Sequence, residues 1–384
     1  MPDPGLVSIS FQQFLLLLLY PLTGFIGLML VERAVCSDVG LGRWFIERLG
    51  LLGLAVLGFV VLGFGIMFPV EWSVTGLLPI PEFTYLAPDD GLVYIRLIDI
   101  MSMGALLGTA VMVVAVLRGL GVRLRAIALL VLWISVIQFP LVGAWIWGGG
   151  WVDTFGASEY YGTGLTHVFP GIVFLVAAGM ASRLRPAEAS GAGPFSRWLF
   201  GLGAFLIWVS QQPTLWSWVR DDYALGRTLL FRWMFLGLVV TFALPFVLNR
   251  IRYARPYIQV LGCGMVGSSL WSVALIASDL YSMGAFLLLA LSPAVVWAVF
   301  LLIDHWRISD PAGVIPVALV CGSLGIVSLG VFPFAPPHQP VAWWVQWAYV
   351  GSILVMAGGG TAVILAFLHL KGWFLRGYSA GQNL

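Results

Sequence analysis

Stretches of about 20 predominantly apolar residues, the length that crosses a bilayer as a helix, follow one another along the whole chain. We read eleven of them, at about 11–32, 48–70, 94–117, 124–147, 163–182, 197–218, 227–249, 256–278, 283–303, 312–334 and 342–370. Charged residues make up 9% of the sequence, against roughly 25% in an ordinary soluble domain. A water-soluble fold has nowhere to hide that much apolar surface. A soluble enzyme, a nucleic-acid binder and a disordered chain are therefore excluded. The expected fold is an all-α polytopic membrane protein forming a single domain over residues 1–384.

Charge placement gives the direction. The first residues, MPDPGLVSISFQQF, hold no Lys or Arg, which argues against a secretory leader and places the N-terminus outside. The cytoplasmic gaps then hold Arg33, Arg43, Arg48, Arg118, Arg123, Arg125, Arg183, Arg185, Arg197, Arg250, Arg252, Arg255, Arg307, Lys371 and Arg376, 15 of the 19 basic residues. The outer gaps are acidic, with Glu71, Glu82, Asp89, Asp90, Asp153, Glu159, Asp221, Asp222 and Asp279. One miscounted helix would scramble this asymmetry. The reading is an integral plasma (inner) membrane protein with a cytoplasmic C-terminus. The inner loop 184–196 is a natural link between two five-helix half-repeats, about 11–185 and 195–335, with an extra C-terminal helix at about 342–370. The halves echo each other in Tyr20-Pro21-Leu22-Thr23 and Gln212-Pro213-Thr214, as expected of a pseudo-two-fold inverted repeat.

Three separated cysteines, Cys36, Cys263 and Cys321, give neither a disulfide framework nor a metal spacing. No nucleophile–base pair is visible, so no enzyme activity, metal or cofactor is expected. Polar groups inside the apolar spans are the functional candidates. Glu159, Thr163, Thr166 and Pro170 fall on one helical stripe beside His167, and could line a polar track. A histidine bonded to a neighbouring helix explains His167 equally well. Arg96 and Asp99 can pair along one helix; Arg227 can snorkel, and Arg232 needs a partner or a wet cavity. Tryptophans gather at the outer ends, including Trp72, Trp145, Trp147, Trp151, Trp216, Trp343 and Trp344. An interfacial belt accounts for most of them. Trp147, which opens Gly148-Gly149-Gly150, is the best candidate for attracting a cation.

Trp147-Gly148-Gly149-Gly150-Trp151, followed by Glu159-Tyr160-Tyr161-Gly162-Thr163-Gly164-Leu165-Thr166-His167, resembles the ammonium transporter signature, W-G-G-G and then D-F-A-G-G-x-V-V-H. Phe59 to Phe68, Arg255-Pro256 with Gly262-Cys263-Gly264, and Asp310-Pro311 with Cys321-Gly322 are similar to further stretches of that family. The resemblance also implies eleven helices, an outside N-terminus and a homotrimer with one pore per subunit. It implies an outer vestibule at Trp147 and Glu159, and a pore at His167 with Thr163 and Thr166 as lining. The family's second pore histidine falls on Ala318, and a gate phenylalanine position falls near Gln211. The third-helix stretch Met101 to Gly104 offers no gate phenylalanine either. The implied function is passage of ammonium/ammonia or a similar small polar solute across the lipid bilayer. The rivals are a non-transporting relative acting as sensor or scaffold in a membrane complex, and a channel for another neutral solute. The short segment after Leu370 implies no PII-type regulator.

Overall fold

The computed structural model describes residues 11–35, 40–69, 71–74, 76–81, 92–158, 162–184, 195–210, 255–277, 283–331 and 342–375. These residues are overwhelmingly helical. The helices are α1 (Phe11–Val35), α2 (Leu41–Met67), α3 (Leu92–Ala115), α4 (124–147), α5 (Gly164–Leu184) and α6 (Arg197–Ser210). They continue with α7 (Tyr257–Ala277), α8 (Met283–His305), α9 (Ile315–Ser328) and α10 (Trp343–Leu370). The predicted span 227–249 lies outside the described residues, so α7 corresponds to the eighth predicted span. Among the described helices α2, α5, α10 and the stretch Leu124–Thr154 are long and apolar enough to cross a membrane. The result is an all-α membrane protein.

Antiparallel contact between glycine-bearing helices brings the bundle together. On α1 and α6, a Cβ added at Gly27 would lie 2.7 Å from the Gly203 carbonyl, and one at Gly203 would lie 2.6 Å from the Gly27 carbonyl. On α5 and α9, a Cβ at Gly171 would lie 2.7 Å from the Leu319 amide nitrogen. Lipid gives helices no hydrophobic reason to associate, so close backbone approach and dense packing supply the attraction.

Several helices carry a π-turn, and two of them run directly into a proline. Ile134–Gln138 is followed by Phe139-Pro140 and Gly164–Val168 by Phe169-Pro170, whereas Ile315–Cys321 has its proline, Pro316, in the first turn, where no amide is missed. Proline lacks the amide that the preceding turn needs, and a widened turn accommodates the shift. Phe59, Phe139 and Phe169 are buried beside these turns and stack edge to face in sequence, at 6.0 and 6.1 Å.

Two features differ from expectation. A small antiparallel hairpin, β1 (Glu71–Val74) and β2 (Leu78–Ile80), occupies part of the predicted outer loop 71–93. Gly76 makes its turn with φ +76°, a conformation that only glycine adopts without strain. Second, α2 starts at Leu41 rather than near 48, because the charges at its start are paired inside the protein. Arg48 donates to both oxygens of Glu32 through Nε at 2.8 Å, and both side chains are fully buried. Glu47 accepts from Arg118 (3.2 and 3.3 Å) and Arg43 (3.2 Å). The C-terminal end of α1, the start of α2 and the turn that follows α3 are thus tied by ions that satisfy one another, the condition under which buried charge is tolerated.

Candidate functional site

The end of the bundle that carries the hairpin is built around the glycine run after Trp147. α4 stops there because the amides of Gly148 and Gly150 both fold back onto the Ala144 carbonyl, each at 3.1 Å. A one-turn helix, Trp151–Thr154, follows. The hairpin is fastened over it: the Trp151 amide donates to the Gly76 carbonyl (3.1 Å) and Trp145 Nε1 donates to the Leu77 carbonyl (2.9 Å). Aromatic rings run across this end from Trp145 to Trp151, Phe155 and Trp344, with centroids 6.1, 6.0 and 6.0 Å apart.

Trp147 is half-buried, and its indole sits over the start of α5. A Cβ at Gly162 would lie 3.2 Å from Trp147 Cη2 and 3.1 Å from Leu106 Cδ1. The segment ahead of α5 is held from α10. Gln346, fully buried, accepts from the Ser158 amide (3.1 Å) and donates to the Ser158 carbonyl (2.8 Å) and the Ile326 carbonyl (3.0 Å). One side chain therefore fixes both backbone groups of Ser158 and ties them to α9. Ser158 immediately precedes Glu159 in the chain; Glu159 and Gln211 lie outside the described residues.

Within α5, Thr163 and Thr166 are buried, and Thr166 Oγ1 donates to the Gly162 carbonyl one turn back (2.7 Å). The π-turn Gly164–Val168 widens the helix here, so the 163/166/170 stripe is not a straight row. His167 sits in that turn. Its chain neighbours Thr166 and Val168 are buried, yet His167 keeps part of its surface accessible. It lies inside the bundle, since the turn packs against α3, α4, α9 and α10. A Cβ added at Gly322 of α9 would stand 3.3 Å from the His167 Cβ. Ala318, the fourth residue of the α9 π-turn as His167 is of the α5 π-turn, is packed at 6% exposure. Since α5 and α9 cross antiparallel, with Gly322 beside His167 and Leu319 beside Gly171, Ala318 lies further toward the C-terminal end of α5 than His167 does.

At the opposite end of the bundle, Asp310 caps α9. Its carboxylate accepts from the amides of Gly313 (2.8 Å), Val314 (3.0 Å) and Ile315 (2.8 Å). Burial pushes its pKa up from the ordinary aspartate value, opposed by those three amides and by Arg255. Arg255 donates to the Asp310 carbonyl (2.8 Å) and to Asp304 Oδ2 (3.0 Å), with its guanidinium 4.4 Å from the Phe300 ring centroid. Gln259 Nε2 reaches the Pro311 carbonyl at 2.7 Å. The Arg255-Pro256 and Asp310-Pro311 stretches, separated in sequence, thus form one turn-and-cap assembly.

With this geometry in view, comparison with known proteins is decisive for the family. Residues 14–210 match the model of the Ammonium Transporter Family. The chain belongs to the ammonium transporter family. Members of that family are transporters, not enzymes. Among curated ammonium transporters, that of Bacillus subtilis is 35% identical over 103 residues, 26% of this chain and 25% of the relative. That of Aquifex aeolicus is 25% identical over 240 residues, 61% of this chain and 54% of the relative. The chain thus spans a quarter to about half the length of these two relatives. Solved ammonium transporter folds match more completely. A structure titled "Sensor Amt Protein" aligns with a TM-score of 0.76 at 18% identity, covering 94% of both chains. Mep2 of Saccharomyces cerevisiae aligns with a TM-score of 0.72 at 15% identity, covering 98% of this chain and 90% of its own.

Of the sequence-derived candidates, Trp147, Thr163, Thr166 and His167 come together around α5, with Ala318 on the helix crossing it. Residues the sequence reading passed over are Gln346, Gln138 and the Glu32/Arg48/Glu47/Arg118 network. The network had a signal, the adjacent opposite charges Glu32-Arg33 and Glu47-Arg48. The glutamines had none, because their partners are backbone groups of distant helices.

Proposed function

We propose that the protein conducts ammonia, drawn from ammonium, through a passage within each subunit of a homotrimer in the plasma (inner) membrane. The observation that carries this reading is His167, a half-buried histidine within the bundle whose chain neighbours Thr166 and Val168 are buried. The physical logic is desolvation. An ammonium ion loses a large hydration energy in an apolar passage, whereas neutral ammonia loses far less. Trp147, through its ring face, and Glu159, through its charge, recruit the cation at the outer end. The ammonium N–H bond breaks there with its proton passing to solvent water, and ammonia passes His167, which as a neutral imidazole can donate one hydrogen bond and accept one. Thr163 and Thr166 flank the ring. With Ala318 on the facing helix, no second imidazole stands at that position to receive a proton.

The finer architecture belongs to the same proposal: eleven helices, an outside N-terminus, and two inverted five-helix repeats. The contacts α1 with α6 and α5 with α9 support the repeat. They join the first predicted span to the sixth and the fifth to the tenth, both antiparallel and both through glycine. That is the pattern a two-fold axis in the membrane plane generates.

A second reading, a sensor or scaffold that does not transport, draws on Ala318 and on the fold neighbour whose title calls it a sensor. Flux of ammonium and methylammonium into proteoliposomes separates the two. Transport requires saturable wild-type flux that falls at least tenfold in Glu159→Ala; an inert wild type selects the scaffold reading.

A further inference from the structure

Trp133 and Gln138 of α4 lie against Gly360 of α10, with Thr361 next to it in the chain, and Trp133, Gln138 and Thr361 each carry a buried polar atom with no hydrogen-bond partner among the described residues. These are Trp133 Nε1, Gln138 Oε1 and Thr361 Oγ1. Gln138 and Thr361 are both 0% exposed. The orientation of the Gln138 amide is fixed by its other end. Nε2 donates to the carbonyls of Met356 and Ala357, each at 3.1 Å, in the π-turn Leu354–Gly358. Turned about, the amide oxygen would face two carbonyl oxygens, so Oε1 is the atom left over.

Trp133 and the Gln138 amide both lie against Gly360, and Thr361 is the next residue of α10. The π-turn Ile134–Gln138 separates Trp133 from Gln138 by one widened turn and brings them to one face of α4. A Cβ added at Gly360 would stand 3.5 Å from Trp133 Nε1 and would run into Gln138 Nε2. Thr361 follows Gly360 and lies one turn beyond Ala357, whose carbonyl Gln138 already holds.

We propose that this junction binds a single ordered water molecule. The indole N–H needs an acceptor, the amide oxygen needs a donor, and the threonine hydroxyl serves either way. Water supplies both. A cation cannot accept from the indole, and a simple anion cannot donate to the amide. Inside a bilayer no bulk solvent meets such a deficit, and a buried water characteristically makes two to four hydrogen bonds to groups of this kind. The bound water joins α4 to α10 at the level of their two π-turns, and this inference does not depend on the transport reading.

The test is a structure of the intact protein at a resolution that shows waters, from ammonium-free buffer and again with an ammonium salt. A peak about 2.7–3.2 Å from Trp133 Nε1, Gln138 Oε1 and Thr361 Oγ1 is expected in both. Absence of the peak, direct pairing of the three groups with one another, or a peak confined to the ammonium arm would overturn the assignment; the last would mark a site for the solute instead. In Gly360→Ala the added methyl group is expected to displace the peak. Its persistence there would place the water elsewhere and also overturn the proposal.

Discussion

Gln346 is the residue whose consequence is easiest to isolate. It makes three hydrogen bonds from one buried side chain, two of them to Ser158, directly before Glu159. Each such bond contributes on the order of 1 kcal/mol. In Gln346→Leu the backbone of Ser158 loses its anchor, and the apparent KM for methylammonium should rise about three- to tenfold with maximal flux within about twofold. A KM equal to wild type would mean that the clamp has no bearing on recruitment. At this scale the sequence was partly legible. Trp147 and His167 announced themselves because their types and spacing carry chemistry on their own. A glutamine in an apolar helix says nothing until the helix beside it is known, and Gln346 and Gln138 both act on backbone groups roughly 20 to 220 residues away.

At the scale of elements, the crossing of α5 and α9 and the paired charges of α1 to α3 make separate demands. Gly171 faces the backbone of Leu319, so Gly171→Val forces the helices apart beside the π-turn that carries His167. Overpacking of this kind costs about 1–3 kcal/mol, and the variant should melt below wild type in detergent, with reduced flux. An unchanged melting temperature would show that the helices can part freely. Glu32→Gln leaves Arg48 buried without its main counter-charge, a loss of about 3–5 kcal/mol. Its yield as folded protein on size-exclusion chromatography should fall sharply, and a wild-type yield would show that Glu47 alone satisfies Arg48. These features also explain where the sequence reading of the helices slipped. Apolar runs locate the middle of a helix well, because lipid contact sets composition there. Helix ends depend on pairing between elements, so α2 begins seven residues early, at Leu41, with Arg43, Glu47 and Arg48 inside it. The hairpin was equally invisible, since its strands are only four and three residues long and are fixed from outside by Trp145 and Trp151.

For the whole molecule, the family was readable from sequence because a helical membrane bundle leaves a double record, apolar length and arginine asymmetry, and because the Trp147-to-His167 stretch is colinear with the family's signature. Assembly leaves no such record in one chain. The homotrimer is tested by native mass spectrometry, where a three-subunit mass is expected and a persistent monomer would contradict it. The central claim is that ammonia passes His167 on its way through one subunit, and its most direct test is ammonium-driven flux in proteoliposomes, wild type against His167→Ala at equal protein incorporation. The account requires saturable wild-type flux and at least a tenfold loss in the variant; equal flux in the two, or none in the wild type, would contradict it.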